Sequence, residues 1–153
     1  GVGVRLSGAR RLAVVPAGRT FAPGNLRATS DNPRYSQLVQ HWIKERYTLR
    51  YTGGLVPDIY HILTKGKGVF ANVSSPSAIA KLRLLYECAP IALLVEAAGG
   101  ASCLAPPPDY NPDEGPGAGV SSVLDAAVSD LDRRVGVCYG GAEEVAAFRR
   151  FMF

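Results

Sequence analysis

Residues 81–100 read Lys-Leu-Arg-Leu-Leu-Tyr-Glu-Cys-Ala-Pro-Ile-Ala-Leu-Leu-Val-Glu-Ala-Ala-Gly-Gly. At about 100° per residue, six apolar side chains of this stretch fall within one arc of roughly 120°. They are Leu84, Leu85, Cys88, Ile91, Ala92 and Val95. We therefore predict the longest helix of the chain from about Lys81 to Ala98, and Gly99-Gly100 is the expected terminator.

Strand patterns alternate with further helices along the rest of the chain. The predicted strands are residues 11–15, 47–52, 68–73 and 135–139, and the other helices begin at Asn32-Pro33 and Pro57 or span 122–132 and 142–152. In the helix after Pro33, an apolar face is predicted from Leu38, Val39, Trp42 and Ile43. This alternation predicts an α/β fold with a layered sheet and helices, as one domain over residues 1–153.

Two segments carry the residue types of loops. Residues 21–27, Phe-Ala-Pro-Gly-Asn-Leu-Arg, are rich in turn formers. Residues 105–119 contain five prolines and three acids, which predicts a solvated Pro/Gly-rich acidic loop inserted in the domain.

Charge divides the chain in two. Residues 1–83 contain 13 Lys or Arg and three acids, whereas residues 84–153 contain four and ten. The division indicates either an anion bound by the basic part or surface bias on two halves of one domain. The basic residues are scattered and aromatic residues make up 8%, so a nucleic-acid platform is not expected. No apolar run reaches the ~18 residues that a membrane span needs, so no membrane partner is expected.

Two groups of residues are candidates for chemistry. Lys81 and Glu87 are predicted near the buried face of the long helix, about 9 Å apart along its axis, where they either form a site or pair with neighbours and solvent. Arg50 and Tyr51 precede a Gly-Gly turn and offer a planar donor fork and a hydroxyl that suit phosphate, or they simply cover a sheet face. Asn25 is either a ligand or a turn former.

Other common sites have no support in the sequence. His41 and His61 lie on separate predicted helices and are interpreted as structural or exposed. The three cysteines lack metal-ligand spacing, and no Ser/His/Asp pattern, P-loop or zinc motif occurs.

Three segments together resemble the carboxyl-terminal half of the fructose-1,6-bisphosphatase superfamily. They are Phe21-Ala-Pro-Gly-Asn-Leu-Arg-Ala-Thr-Ser-Asp-Asn-Pro33, Tyr47-Thr-Leu-Arg-Tyr-Thr-Gly-Gly-Leu-Val-Pro-Asp58 and residues 81–100. A weaker match at Ser122-Val-Leu-Asp125 and Val135-Gly-Val-Cys-Tyr-Gly140 extends the resemblance. The forms Pro-Gly-Asn-Leu-Arg-Ala-Thr and Tyr-Thr-Gly-Gly are more similar to the sedoheptulose-1,7-bisphosphatase branch.

The resemblance implies a role for each candidate residue. Asn25, Tyr51 and Lys81 would bind sugar phosphate, Arg50 would reach a neighbouring subunit's phosphate across a homodimer interface, and Glu87 would be a ligand to catalytic Mg²⁺. Fructose-specific members use tyrosines near Asn72 and Ala28, and their absence here favours the sedoheptulose branch.

The resemblance also implies what the chain lacks. Two-metal phosphoryl hydrolysis needs several carboxylates, and in the family these lie in an amino-terminal half, including an Asp-Pro-Leu-Asp-Gly type loop that does not occur here. No catalytic residue is therefore assigned. We expect part of a Mg²⁺-dependent phosphatase acting on the 1-phosphate of sedoheptulose-1,7-bisphosphate, inactive without an amino-terminal half. The alternative is a non-catalytic sugar-phosphate-binding or structural subunit. The resemblance to the sedoheptulose-1,7-bisphosphatase branch implies a role in the carbon-fixation cycle and a location in the chloroplast stroma.

Overall fold

A computed structural model describes residues 18–114 and 122–153, and the predicted strand 11–15 lies outside them. The strands are β1 (Thr20–Gly24), β2 (Thr48–Leu49), β3 (Val69–Asn72), β4 (Leu82–Arg83), β5 (Ala101–Leu104), β6 (Arg134–Val135) and β7 (Val137–Gly140). The α-helices are α1 (Pro33–Lys44), α2 (Leu55–Lys65), α3 (Ala89–Ala97) and α4 (Ala142–Met152). Short 3₁₀ turns cover Leu26–Ser30, Pro112–Glu114 and Val123–Asp125, and a π turn covers Leu84–Cys88.

Five strands form one mixed sheet in the order β2-β1-β3-β7-β5. Strand β1 runs parallel to both β2 and β3, whereas β7 is antiparallel to β3 and β5. β4 and β6 form a separate antiparallel pair.

Both faces of the sheet are buried under helices. Side chains alternate along each strand, so neighbouring residues face opposite cores. Val69 and Ala71 face a core shared with α1 and α4, where Trp42 and Phe148 are buried. Phe70 faces the opposite core, shared with α2 and α3. The domain therefore has three layers, helices–sheet–helices, as the α/β prediction requires.

Four predicted elements are confirmed: α1, α2, β3 and α4. Each has strong local signals. The Asn32 side chain caps α1 by accepting from the Tyr35 N–H, and Pro33 occupies the first turn. On α1, Leu38 and Trp42 are buried as expected, but Ile43 is 62% exposed, so its assignment to the apolar face is wrong.

The predicted loop 21–27 is wrong for its first residues, because Phe21–Gly24 belongs to β1. The Phe21 carbonyl accepts from the Arg50 N–H on the β2 side. Pro23, two residues later, faces the same side, and β2 has already ended at Leu49. The missing N–H of Pro23 therefore costs no ladder hydrogen bond.

The helix predicted from Lys81 is also wrong at its start. Leu82 and Arg83 are extended and pair with Val135 and Arg134. The helical turns begin only at Leu84, and they end before Gly99 as expected. Lys81 is thus not part of a helix, and the predicted 9 Å helical spacing to Glu87 does not apply.

Two further predictions need correction, and one strand is missing from them. Residues 122–132 contain only the 3₁₀ turn Val123–Asp125, because Ala126 directly after it is extended. The predicted strand 135–139 is divided at Gly136 between β6 and β7. Strand β5 was not predicted.

The 105–119 stretch is only partly solvated. Ala105 and Pro106 are buried, and the Tyr110 ring packs edge-on against Phe153 at 5.4 Å. Residues 115–119 lie outside the described part of the chain. No helix among the described residues is long and apolar enough to cross a membrane.

Tyr35→Phe tests how firmly the end of β1 is held. The buried Tyr35 hydroxyl donates to the Gly24 carbonyl at 2.8 Å, and the substitution removes this hydrogen bond. We expect the free energy of unfolding, measured by urea denaturation, to fall by about 0.5–1.5 kcal/mol. Tyr60→Phe, at a 67% exposed position on α2, is the control and should change it little. Equal effects of the two variants would contradict the assigned hydrogen bond.

Candidate functional site

A cavity of about 380 Å³ lies where the three parallel strands end. Asn25 follows β1, Tyr51 follows β2, and Asn72 ends β3. The cavity is lined by Asn25, Leu26, Arg27, Tyr51, Asn72, Ile79, Ala80 and Lys81. The carboxyl ends of parallel strands meet at one sheet edge, the usual place for ligands in α/β folds.

The Asn25 side chain joins two backbone segments beside this cavity. Its Nδ2 donates to the carbonyls of Val73 at 2.7 Å and Ala78 at 2.8 Å. A side-chain amide has two N–H donors, so both are used inside the protein. The Oδ1 atom accepts from Arg27 Nε at 3.2 Å. Asn25 therefore lies at the site as predicted, and its amide anchors a loop there.

The anchored loop, residues 73–80, leads from β3 to Lys81. Asn32 Nδ2 donates to the Ser74 carbonyl, and the Asp31 carboxylate accepts from the Ser77 N–H at 2.8 Å. Hydrogen bonds from Ser75 and Ser77 lower the pKa of Asp31. The segment after β1 thus fixes the loop that carries Lys81 into the cavity wall.

Tyr51 and Lys81 are the exposed polar groups that sequence reasoning assigned to this site. Both side chains are exposed and line the cavity. The segment of Tyr51 is held by buried Asp58, whose Oδ1 accepts from the Thr52 N–H at 2.8 Å. A cation and a phenol that line the same cavity form a donor set for a phosphate or a sugar hydroxyl.

Arg50 lies apart from this cavity. Its side chain donates to the Leu49 carbonyl at 2.9 Å and lines a neighbouring depression of about 470 Å³ with Tyr51, Asp58 and His61. Tyr51 borders both depressions, so Arg50 is a near neighbour of the cavity without lining it.

Residues 14–153 match the family described as fructose-1-6-bisphosphatase, C-terminal domain. The chain belongs to this family. It is 50% identical over 136 residues to the chloroplastic sedoheptulose-1,7-bisphosphatase of Spinacia oleracea. It is 37% identical over 140 residues to the class 1 fructose-1,6-bisphosphatase of Geobacter sulfurreducens. These matches cover 89% and 90% of this chain.

Solved structures agree with this fructose-1,6-bisphosphatase fold. A Toxoplasma gondii protein assigned as a sedoheptulose-1,7 bisphosphatase superposes with a TM-score of 0.77 and 43% identity, covering 91% of this chain and 39% of that one. Leishmania major fructose-1,6-bisphosphatase in the T-state gives 0.71 and 27%, covering 90% and 40%. The chain spans about a third of the length of the spinach relative.

Glu87, the predicted metal ligand of this fructose-1,6-bisphosphatase domain, lies in the π turn before α3. Its Oε2 accepts from the Arg83 N–H at 2.8 Å and is 3.8 Å from Arg83 Nη1. This is a reach-back bond of the kind that stabilises helix starts. Glu87 does not line the cavity, and within residues 18–114 and 122–153 no group of three or more His, Cys, Asp or Glu side chains is placed to hold a metal.

Two polar residues of the cavity, Arg27 and Asn72, are not among the predicted site residues. Arg27 adds a second cation to the wall. The Asn72 Oδ1 is buried without a hydrogen-bond partner, although its residue lines the cavity. The end of the predicted strand 68–73 is a signal that could have identified Asn72, whereas Arg27 follows β1, which the sequence predicts as a loop.

The Asn25 anchor can be tested with two substitutions. Asn25 has φ 53° and ψ 43°, in the left-handed region. Asn25→Gly tolerates that conformation and loses only the side-chain hydrogen bonds, which we expect to cost about 1–3 kcal/mol. Asn25→Ala should cost about 1–2 kcal/mol more, because alanine is strained there. Urea denaturation measures both, and equal stability of the Gly and Ala variants would rule out the backbone contribution.

Proposed function

We propose that this chain supplies the sugar-phosphate-binding part of a Mg²⁺-dependent phosphatase that hydrolyses the 1-phosphate of sedoheptulose-1,7-bisphosphate. The observation that carries the proposal is the convergence of Asn25, Tyr51 and Lys81 on one open cavity. Its support also includes 50% identity to a protein named sedoheptulose-1,7-bisphosphatase. The chain matches about a third of that relative, so the activity of the whole enzyme is part of the proposal.

The cavity chemistry suits a phosphorylated sugar. The Lys81 ammonium supplies three donors with a positive charge, and the Tyr51 hydroxyl both donates and accepts. Hydrogen bonds to a charged phosphate are stronger than neutral ones. Arg50, outside the cavity, would bind the phosphate held by a second copy in a homodimer.

Magnesium would need ligands beyond those described in this chain. Mg²⁺ requires near-octahedral oxygen coordination and usually takes one or two carboxylates with waters and substrate phosphate. Glu87 offers one carboxylate, with Oε2 engaged by Arg83. The described residues therefore do not make a magnesium site by themselves, and Glu87 would serve as one ligand among several supplied by an amino-terminal half.

The second candidate is a sugar-phosphate-binding or structural subunit without catalysis. The observation in its favour is the same lone Glu87, together with its structural bond to Arg83. The two candidates share the cavity and differ in whether an amino-terminal partner restores hydrolysis.

The chloroplast stroma and the carbon-fixation cycle are the proposed setting. The spinach, Triticum aestivum and Chlamydomonas reinhardtii relatives are all named chloroplastic, with 49–50% identity.

Lys81→Ala tests the binding proposal. We expect isothermal titration calorimetry with sedoheptulose 7-phosphate to show at least tenfold weaker binding, because a charge-assisted hydrogen bond contributes about 1.5–3 kcal/mol. Lys44→Ala removes an exposed lysine from the end of α1 and should leave the affinity unchanged. Unchanged affinity in both Lys81→Ala and Arg50→Ala would show that the assigned roles do not apply to this chain.

Phosphate release tests the proposed division of labour. With sedoheptulose-1,7-bisphosphate and Mg²⁺, the isolated chain should release no phosphate above the uncatalysed rate, since one carboxylate cannot hold the metal cluster that hydrolysis needs. A colorimetric phosphate assay measures this. Robust release that is lost on adding a chelator would contradict the proposed need for an amino-terminal half.

A further inference from the structure

Two of the three cysteines face each other across the sheet. Cys103 in β5 and Cys138 in β7 are direct partners in the antiparallel register. Both side chains are fully buried and belong to the core between the sheet and helices α1 and α4. Neither residue lines the candidate cavity, so this pair is separate from the site described above.

The register brings the two cysteines to a separation that a disulfide can span. Two residues further along the ladder, the Ala105 N–H donates to the carbonyl of the opposite residue, Gly136, at 2.9 Å. Hydrogen-bonded pairs recur every second residue of an antiparallel ladder, so Cys103 and Cys138 also form one. The Cα atoms of such a pair are about 5.5 Å apart, and disulfides join Cα atoms about 4.4–6.8 Å apart. A bond between the two sulfurs therefore needs no rearrangement of the strands.

A buried cation lies beside Cys103. The Arg149 guanidinium on α4 donates from Nη2 to the carbonyl of Ser102, the preceding residue, at 3.2 Å. Its Nε is buried without a hydrogen-bond partner, and within residues 18–114 and 122–153 no carboxylate forms an ion pair with Arg149. A buried cation with an unused donor favours an anion next to it. The Cys103 thiolate is an anion that this place can supply.

The two thiols differ in how readily they ionise. The neighbouring Cys138 thiol and the Arg149 guanidinium lower the pKa of the Cys103 thiol, whereas burial raises the pKa of Cys138. Cys88 lies in the opposite core and provides a comparison, because burial raises the pKa of its thiol to about 12. The thiolate is the reactive form of cysteine. Cys103 is thus the nucleophile of the pair, with a second thiol directly opposite.

The position of the pair in the sheet gives an oxidant a route to it. Strand β5 is the last strand in the order β2-β1-β3-β7-β5. Elements at the margin of a structure open locally at a lower free energy than the whole chain unfolds. A small uncharged oxidant therefore reaches Cys103 when the edge strand opens, without global unfolding.

We propose that Cys103 and Cys138 are a site of oxidative modification, at which hydrogen peroxide converts the two thiols into an intrachain disulfide. The Cys103 thiolate attacks one peroxide oxygen, so that an S–O bond forms and the O–O bond breaks. The departing hydroxide takes up the proton that Cys103 released. The Cys138 sulfur then attacks the Cys103 sulfur, the S–S bond forms, and the hydroxyl group leaves as water with the Cys138 proton. The two thiols lose two electrons, and the peroxide gains them.

The disulfide would join the two ends of the least regular part of the chain. Residues 104–137, between the two cysteines, include the Pro/Gly-rich stretch 105–119 and short elements such as the 3₁₀ turn Val123–Asp125. A cross-link that closes a long loop restricts the unfolded chain and so stabilises the folded one. The bond would also hold the edge strand β5 to β7.

Thiol counting tests the site in the full 153-residue chain. The reduced chain is treated with hydrogen peroxide under folding conditions, then denatured and titrated for free thiols. We expect the count to fall from three to one, with peptide mapping showing a bridge between Cys103 and Cys138 that dithiothreitol reverses. Cys88→Ser is the matched control, because its thiol is equally buried in the other core, and it should form the same bridge.

Variants of the pair and of Arg149 test the assigned roles. Cys138→Ala should form no bridge and should retain a sulfenic acid at Cys103, which dimedone traps. Arg149→Met should be oxidised about tenfold more slowly, because fewer Cys103 sulfurs are thiolates. Arg149→Lys keeps the charge and should react at close to the rate of the parent chain. Thermal unfolding checks that each variant is folded, and the oxidised parent chain should unfold about 5 °C or more above the reduced one.

Five outcomes would overturn the inference. They are three free thiols in the treated chain, a bridge that contains Cys88, a bridge between two chains on a non-reducing gel, a bridge that forms only at urea concentrations that unfold the chain, and a lower unfolding temperature after oxidation. The inference does not depend on the proposed function. Lys81→Ala should therefore lose affinity for sedoheptulose 7-phosphate and still form the disulfide.

Discussion

Two hydrogen bonds from one side-chain amide determine the shape of the candidate site. Asn25 joins the end of β1 to both ends of the loop after β3, through the carbonyls of Val73 and Ala78. Asn32 and Asp31 hold the middle of the same loop, through the Ser74 carbonyl and the Ser77 N–H. With the loop fixed, Lys81 follows it into the wall of the cavity that Tyr51 also lines. The arrangement of charge at the site thus depends on a neutral residue whose donors do not face the cavity.

Much of the fold was predictable because its signals are local. The Asn32-Pro33 start of α1, the apolar run of β3 and the amphipathic α4 each specify an element within a few residues. The failures involve long-range pairing. Pro23 is predicted in a loop, because the sequence does not show that its nitrogen faces a side of β1 that β2 does not reach. Leu82 is predicted in a helix, because the sequence does not show that it pairs with Val135. Propensity gives way to tertiary pairing in both places.

The candidate site was predictable by residue type more than by geometry. Donors suited to phosphate identified Tyr51 and Lys81, and both line the cavity. The helical wheel that related Lys81 to Glu87 was wrong, because Lys81 precedes the helix. Nothing in the local sequence around Asn25 indicates that its side-chain Nδ2 donates to carbonyls 48 and 53 residues away.

The short strand β2 and Pro23 have a consequence for the chain in solution. Sheet edges are templates for unwanted strand addition and fibril growth. Here one edge is a two-residue strand beside a proline that has no N–H to offer. At the other edge, the Arg149 guanidinium occupies the Ser102 carbonyl. Both edges of the sheet therefore offer few free backbone groups to an incoming strand, so fibril growth by strand addition is disfavoured at either edge of this domain.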